Sequence, residues 1–402
     1  VRAGFLARSA GRAGRFGLFI GLERMTRHRA RSASVIPSGP TAVTREWFDH
    51  VLCSNFDGVH VTAFSSEAPS SGSTVRCRYV LSYNALGEAV RATSVGLRGG
   101  LPGSVFAKFT PSLRTRLAHS LTGTTVAEAC FFNEFRPNLE IEAPWGYFAA
   151  ADPRSGRSVQ LMEDVAATQG ATFCTPATEI TRTDAEQMVT LLGTLHGTLH
   201  DDPRLTRLYR PIRTLPQWYA PVLKPVELQK YHERAMDDAA ERIPASVRAA
   251  RQAIWPRFLE TIELNARLPR TLIHSDVHVS NWYRTADGRM GLGDWGCVAK
   301  GHGTRDLAYA LSTALSIEDR RAWELDLIGL YLEAFRSRGG SPLSWTDTLD
   351  HYRQHLVGAL LMWTPTLCHS PLLPDMQPRE VSLTMIERIT TALADHDVLR
   401  RQ

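Results

Sequence analysis

The spacing of apolar residues changes character near residue 164, and that change commits the chain to a fold with two unlike halves. From about residue 58 the spacing has period two. Val75-Arg-Cys-Arg-Tyr-Val-Leu-Ser-Tyr83 alternates, as does 89–97 after a turn at 84–87. A third run, Ser104-Val-Phe-Ala-Lys-Phe109, follows the glycine-rich 99–103. Alternation sends successive side chains to opposite faces of a strand. An antiparallel sheet of short strands is therefore predicted, with further strands at 145–150 and 158–162 and one main helix over 125–136. Thr44 is placed to cap a helix through Trp47, Val51 and Leu52. Beyond Asp164 the spacing is helical almost throughout. Met188, Leu191, Leu192, Leu195 and Leu199 mark one amphipathic helix. Others are predicted over 226–242, 246–267, 304–316, 318–338, 346–363 and 380–395. The exception is 271–296, which reads strand–loop–strand–turn–strand. There are no internal repeats. The predicted fold is α+β: a small antiparallel-sheet lobe over 44–163 and a larger, mostly helical lobe over 164–402, with the chemistry between them.

Composition removes several classes. The chain has 402 residues, 43% hydrophobic and 22% charged, which is ordinary for a globular protein with a sizeable core. No apolar run reaches the roughly 20 residues of a membrane-spanning helix, so no membrane partner is expected. The net charge is +5. Residues 1–40 alone hold eight Arg and a single acid, Glu23, so the remainder is slightly acidic and nucleic-acid binding by the folded part is not expected. Residues 1–43 read as a disordered basic tail or, since the chain begins with Val and Met25 offers a later start, as an over-extended start; a targeting segment is a third reading. Six scattered Cys without a C-x-x-C pair argue against a zinc site and a disulfide scaffold. A reducing, cytoplasmic setting is the default.

The densest chemical signal is Leu272-Ile-His-Ser-Asp-Val-His-Val-Ser-Asn281, followed by a turn at 285–288 and Gly293-Asp-Trp-Gly296. Two Asp and one Asn stand in short loops after apolar strands. Phosphoryl transfer needs that inventory: one carboxylate to take the proton of the attacking hydroxyl, and oxygen ligands for a hard Mg²⁺ that bridges phosphates. Asp276 is the candidate base, and Asn281 and Asp294 are the candidate ligands. The pattern resembles the kinase loop H-R-D-x-x-x-x-N and its later D-F-G.

The resemblance narrows further. His274–Asn281 resembles the H-G-D-x-H-x-x-N loop of aminoglycoside phosphotransferases, choline kinases and ecdysteroid-kinase-like proteins. Gly293-Asp-Trp-Gly296 resembles their I-D-W-x segment, and Gly303-Thr-Arg-Asp-Leu-Ala-Tyr309 their G-x-x-x-D-L-A-Y helix start. Ser275 stands where the family usually has Gly, and Gly293 where it has Ile. The resemblance implies the two-lobed protein-kinase-like fold and transfer of the ATP γ-phosphoryl group to a hydroxyl of a small molecule. It covers roughly residues 55–340.

Lysine usage points the same way. The chain has four Lys against 42 Arg, and Lys108 is the only one before position 224. It sits in an apolar strand, where burial is costly unless the charge is paired. It is the candidate contact to the ATP α/β-phosphates. Ala127-Glu-Ala-Cys-Phe-Phe132 resembles the family's E-x-x-F-Y helix and makes Glu128 the partner, with Glu134 as the alternative. The loop 70–74, with Gly72 and Ser73, is the candidate phosphate cover; plain turn is the other reading. Val159-Gln-Leu-Met-Glu-Asp164 resembles the L-L-x-E-D-L hinge, which implies adenine bonded to backbone near Glu163 and Val165 and packed on Leu161 or Met162. His196, in a segment resembling L-H-A, reads as a loop-supporting histidine, and Arg305-Asp306 as a helix cap that also braces the catalytic loop.

The acceptor stays open. Residues 340–402 hold no acidic run to receive a polycationic antibiotic, and five of the nine Trp follow residue 280. An uncharged or apolar alcohol is favoured. Two other classes remain: a nucleotide-binding protein of the same fold without transfer activity, and a metal-dependent hydrolase using His274, Asp276 and His278. The oligomeric state is not legible.

Overall fold

The computed structural model describes residues 2–70, 74–93, 100–206, 211–341, 343–371, 373 and 375–400. The chain divides into two compact units, Val1–Asn138 with Ala143–Ala171, and Leu139–Glu142 with Thr172–Gln402.

The first unit is built on a five-stranded antiparallel sheet. Its strands are β1 (Val61–Ser66), β2 (Val75–Tyr83), β3 (Ser104–Phe109), β4 (Gly146–Asp152) and β5 (Arg157–Glu163), in spatial order β1-β2-β3-β5-β4. Alternation decides the faces. Cys77, Tyr79, Leu81, Val105, Ala107, Phe109, Val159 and Leu161 are buried together with Trp47 and Phe48. Thr44 caps the helix Arg45–Phe48 by accepting from the Trp47 N–H, and the chain continues through a π-helical turn, Asp49–Cys53. The helix Thr124–Cys130 runs on through Phe131–Phe135.

Two segments differ from the sequence reading. The strand expected over 89–97 is a helix, Ala85–Thr93, as far as it is described; 94–97 lie outside the described residues. Its first turn is held locally. The Asn84 side chain accepts from the Gly87 N–H at 3.0 Å, and Glu88 accepts from the Tyr83 N–H at 2.9 Å. A second helix, Leu113–Thr122, lies where none was expected, capped by Ser112 and ended by Gly123 at φ +79°. The basic stretch read as a tail carries the helix Arg2–Met25. Its one acid, Glu23, is buried and accepts from Arg116 and Arg157 at 2.7–2.9 Å. Burial works to raise the Glu23 carboxyl, and those two guanidiniums outweigh it and hold the group below the usual range.

The second unit is helical around two small sheets. Helix Arg182–Thr198 packs on Ile317–Ser337, Thr304–Ala314 packs on Trp345–Leu367, and Trp345–Leu367 packs on Arg379–Asp395. One sheet joins β6 (Thr172–Phe173), β9 (Trp282–Arg284) and β10 (Met290–Leu292), and the other joins β7 (Arg213–Thr214), β8 (Thr271–Ile273) and β11 (Ala299–Gly301). The expected strand–loop–strand–turn–strand over 271–296 is thus β8, a loop, β9 and β10. No helix among the described residues is long and apolar enough to cross a membrane. Of the six Cys, Cys53, Cys77, Cys130 and Cys174 are buried.

Candidate active site

In the second unit, the loop from His274 to Asn281 is fixed by groups that are themselves fully occupied. His274 is buried, and its two ring nitrogens both bond to backbone. Nε2–H donates to the Gly293 carbonyl at 2.9 Å, and Nδ1 accepts from the Asp276 N–H at 3.2 Å. That pair of bonds fixes the neutral tautomer. Burial lowers the pKa in the same direction.

Asp306, fully buried, anchors the other side. It accepts from the His274 N–H at 2.5 Å and the Ser275 N–H at 3.0 Å. Arg305 donates to the Ser275 carbonyl at 2.9 Å and lies 3.4 Å from Asp306. His196 Nε2 is 3.5 Å from Asp306, an electrostatic contact at the outer limit of a hydrogen bond. Burial pushes the Asp306 carboxyl up, and His196, Arg305 and His274 together bring it below the usual carboxylate range. The expected capping role is therefore corrected. The residue at the cap position of Thr304–Ala314 is Gly303, with no side-chain cap, and Asp306 spends its oxygens on the loop from His274, so the bracing half of the expectation stands and the capping half does not. Gly303 is there because a Cβ would sit 2.3 Å from the Tyr331 hydroxyl and 2.5 Å from His196 Nδ1. His196 is a support, as read from the sequence.

What this scaffold presents is a carboxylate and an amide. Asp276 Oδ1 accepts from the Tyr309 hydroxyl at 3.2 Å and faces His278 Nε2 at 3.8 Å. Burial raises the Tyr309 hydroxyl pKa far above its ordinary value, so it stays a donor. His278 Nδ1 accepts from the Ser280 N–H, and its ring meets Trp363 edge-on at 5.4 Å. Asn281 donates its amide N–H to the Asp276 carbonyl at 2.7 Å, which leaves Oδ1 without a protein partner among the described residues. The Gly293 N–H bonds the Asn281 carbonyl at 2.8 Å and ties the next loop alongside. Asp294 follows in that loop, exposed and at φ +55°.

In the first unit, Lys108 Nζ is 2.7 Å from Glu128 Oε1, with both side chains under 8% exposed. The sequence left Glu128 and Glu134 open; the structure pairs Lys108 with Glu128. Met162 is the ladder neighbour of Phe106 and shares the sheet face of Lys108. Glu163 accepts from the Trp145 N–H at 3.0 Å, and its own N–H bonds the Trp145 carbonyl at 2.7 Å. Val165 opens the short helix Val165–Gln169, so its N–H has no intrahelical acceptor. Gly72 and Ser73 lie outside the described residues.

The sequence reading missed contacts around three residues, Asp164, Glu142 and His278. Arg78 is held by Asp164 and Glu67, and Ser104 also donates to Asp164 at 2.7 Å. The Glu142 carbonyl accepts from the Leu292 N–H and its carboxylate from the Tyr283 hydroxyl, both at 3.0 Å. Trp363 supports His278. Only Arg78 left a signal, as a charged residue at an alternating strand position.

The sequence profile of the phosphotransferase enzyme family matches residues 124–340, more than half of the chain. The chain belongs to the phosphotransferase enzyme family. The match spans Glu128, the loop His274–Asn281, Asp294 and Asp306; Lys108 lies upstream of it. No curated protein matches the chain. Among solved structures, this phosphotransferase is similar to a choline kinase from Streptococcus pneumoniae at 14% identity, covering 87% of this chain and 98% of that one with a TM-score of 0.43. A choline kinase from Cryptosporidium parvum matches at 12% identity, 85% and 91% coverage and a TM-score of 0.48. A microcompartment-associated aminopropanol kinase matches at 15% identity, 84% and 94% coverage and a TM-score of 0.48.

Proposed function

We propose that this phosphotransferase is an ATP-dependent small-molecule kinase with Asp276 as its catalytic base. The observation that carries the reading is the division of labour in the loop. His274, Asp306 and Arg305 are consumed in holding backbone, and Asp276 keeps carboxylate capacity for a substrate. Tyr309 occupies Oδ1 of Asp276, so Oδ2 is the atom for the acceptor hydroxyl. That hydroxyl gives its proton to Asp276 as its oxygen bonds the γ-phosphorus and the bond to the β-phosphate oxygen breaks.

Asn281 Oδ1 and the Asp294 carboxylate are oxygen donors of the kind Mg²⁺ takes, and the Gly293–Asn281 backbone bond holds their two loops together. A metal bound there would neutralise charge on the phosphates and orient them. Lys108, oriented by Glu128, is the residue for the α/β-phosphates, Met162 for the face of the adenine, and Glu163 and Val165 supply the neighbouring backbone. Gly72 and Ser73 are the proposed loop contacts. The acceptor is a small-molecule alcohol, and the lack of an acidic run over 340–402 favours an uncharged one.

The hydrolase alternative is disfavoured by His274, whose nitrogens are both committed to backbone. No group of three or more His, Cys, Asp or Glu able to hold a metal occurs among the described residues. The test is Asp276→Asn, assayed for phosphoryl transfer against hydroxylated small molecules and for Mg·ATP binding by calorimetry. Transfer should fall by about 10²–10⁴ with binding within about threefold of wild type. Undiminished transfer would remove Asp276 as the base. A wild-type protein that binds Mg·ATP but phosphorylates nothing would favour the silent nucleotide-binder.

A further inference from the structure

The sheet face that carries Lys108 holds a second cation for which the reading above has no use. Arg76 on β2 is the ladder partner of Lys108 on β3, and Gln160 on β5 is its partner on the other side. The alternation settles where this row points. Cys77, Ala107, Phe109, Val159 and Leu161 fill the core beneath the sheet, so Arg76, Lys108 and Gln160 project from the opposite face.

Like charges directly opposed across an antiparallel pair repel. Lys108 has the Glu128 carboxylate. Arg76 has no side-chain partner among the described residues, and its Nε is buried with no hydrogen-bond acceptor. The contrast with Arg78 is direct. Two residues along the same strand and on the same face, Arg78 is bonded to both Asp164 and Glu67. A guanidinium left this way beside a lysine is suited to an anion that the protein itself does not supply. Arg76 also closes the stem of the loop assigned to phosphate cover: its N–H and carbonyl exchange hydrogen bonds with Ser70, both at 3.0 Å.

We propose that Arg76 is a second phosphate anchor of the nucleotide site, its planar fork gripping phosphate oxygens next to those held by Lys108. The inference rests on the nucleotide-binding reading above. It makes Arg76 a binding residue for the polyphosphate, with no role in recognising the nucleoside.

The experiment is calorimetric titration of wild type, Arg76→Gln and Arg76→Lys with adenosine, AMP and ADP in the presence of Mg²⁺. Arg76→Gln should weaken ADP binding by about tenfold or more and leave adenosine within about twofold. Arg76→Lys, which keeps the charge and loses the fork, should fall between them for ADP. If the Gln variant does not fold, the Lys variant decides: a selective loss for ADP supports the anchor, and wild-type affinity for ADP overturns it. Equal losses for adenosine and ADP in the Gln variant would make Arg76 a structural residue and overturn the inference while leaving the nucleotide reading intact. Wild-type protein that binds neither adenosine nor ADP overturns the nucleotide reading and this inference with it.

Discussion

The Lys108 face of the sheet unit and the loop from His274 to Asn281 in the helical unit use buried polar groups in opposite ways. In the sheet unit a charge is buried against an opposite charge, Lys108 on Glu128, and the Nε of a neighbouring cation, Arg76, is buried with no acceptor among the described residues. In the helical unit the buried histidine is neutral and both of its nitrogens bond to backbone, while Asp306 takes two backbone N–H groups. The first arrangement depends on charge balance. The second depends on geometry and fixes a backbone so that Asp276 and Asn281 project from it. A buried ion pair is costly to break on one side only, because the survivor is left charged in a poor solvent. A buried neutral histidine resists a different insult, the arrival of a proton.

The sharpest way to break the comparison is to remove one member of the pair. Lys108→Met should destabilise the protein by about 3–5 kcal/mol, since it removes a cation against which Glu128 is buried. Adding Glu128→Leu should return most of that loss, because two apolar groups replace two charges. Urea unfolding of the wild type, both single variants and the double variant measures the coupling. Losses that simply add would mean that the two side chains do not rely on each other. Activity should be absent from all three variants, which separates the role in the site from the role in the fold.

Acid should then act on the two units in sequence. Burial pushes His355 down to about 3 and His232 down to about 4. An unfolded histidine takes its proton near pH 6.5, so the unfolded state binds more protons between that value and the depressed ones. The stability these residues contribute is complete above about pH 6.5 and is lost as pH falls, at up to about 1.4 kcal/mol per pH unit for each. In the sheet unit the lowered carboxyl of Glu23 keeps its contribution until pH falls below the ordinary carboxyl value of about 4.5. Hydrogen exchange at pH 7 and pH 5.5, corrected for the intrinsic rates, should show protection falling more in the helical unit, which holds His355 and His232, than in the sheet unit, where burial also lowers His28. The reverse order would mean that His355 and His232 are not held neutral.

How far the sequence disclosed this depends on whether the deciding contact was local. β3 was predicted over its full extent, because alternation is a property of neighbours in the chain. The loop residues Asp276, Asn281 and Asp294 stood out because their spacing is itself the chemistry. The helix Ala85–Thr93 was misread as a strand because Ala89, Val90 and Arg91 alternate weakly, and the deciding bonds come from Asn84 and Glu88 side chains to backbone. The helix Leu113–Thr122 was overlooked although Ser112 and Gly123 bracket it as cap and stop. The reading of Asp306 divides. Its bracing of the loop is borne out by the His274 and Ser275 N–H groups it accepts from, whereas the helix cap that a first-turn aspartate suggests is not made, because those same oxygens are taken by a loop some thirty positions earlier.

The smallest predicted effect tests how rigidly that loop is held. Ser275 has φ +70°, in the left-handed region that favours glycine, at the position where the family usually has glycine. A side chain there costs roughly 1–2 kcal/mol, against about 0.5–1 kcal/mol that glycine forfeits through the freedom of its unfolded chain. Its hydroxyl is also buried with no hydrogen-bond partner among the described residues, a further burden of about 1–3 kcal/mol. Ser275→Gly removes both and should stabilise the protein by about 1–2 kcal/mol. Ser275→Ala removes only the hydroxyl and should gain less. Neither touches the Ser275 N–H to Asp306 or its carbonyl to Arg305, so transfer activity should stay within about threefold of wild type. If the glycine variant gains stability and loses activity, the strain at Ser275 is part of how Asp276 is aimed, and the loop is less completely fixed by His274 and Asp306 than its hydrogen bonds imply.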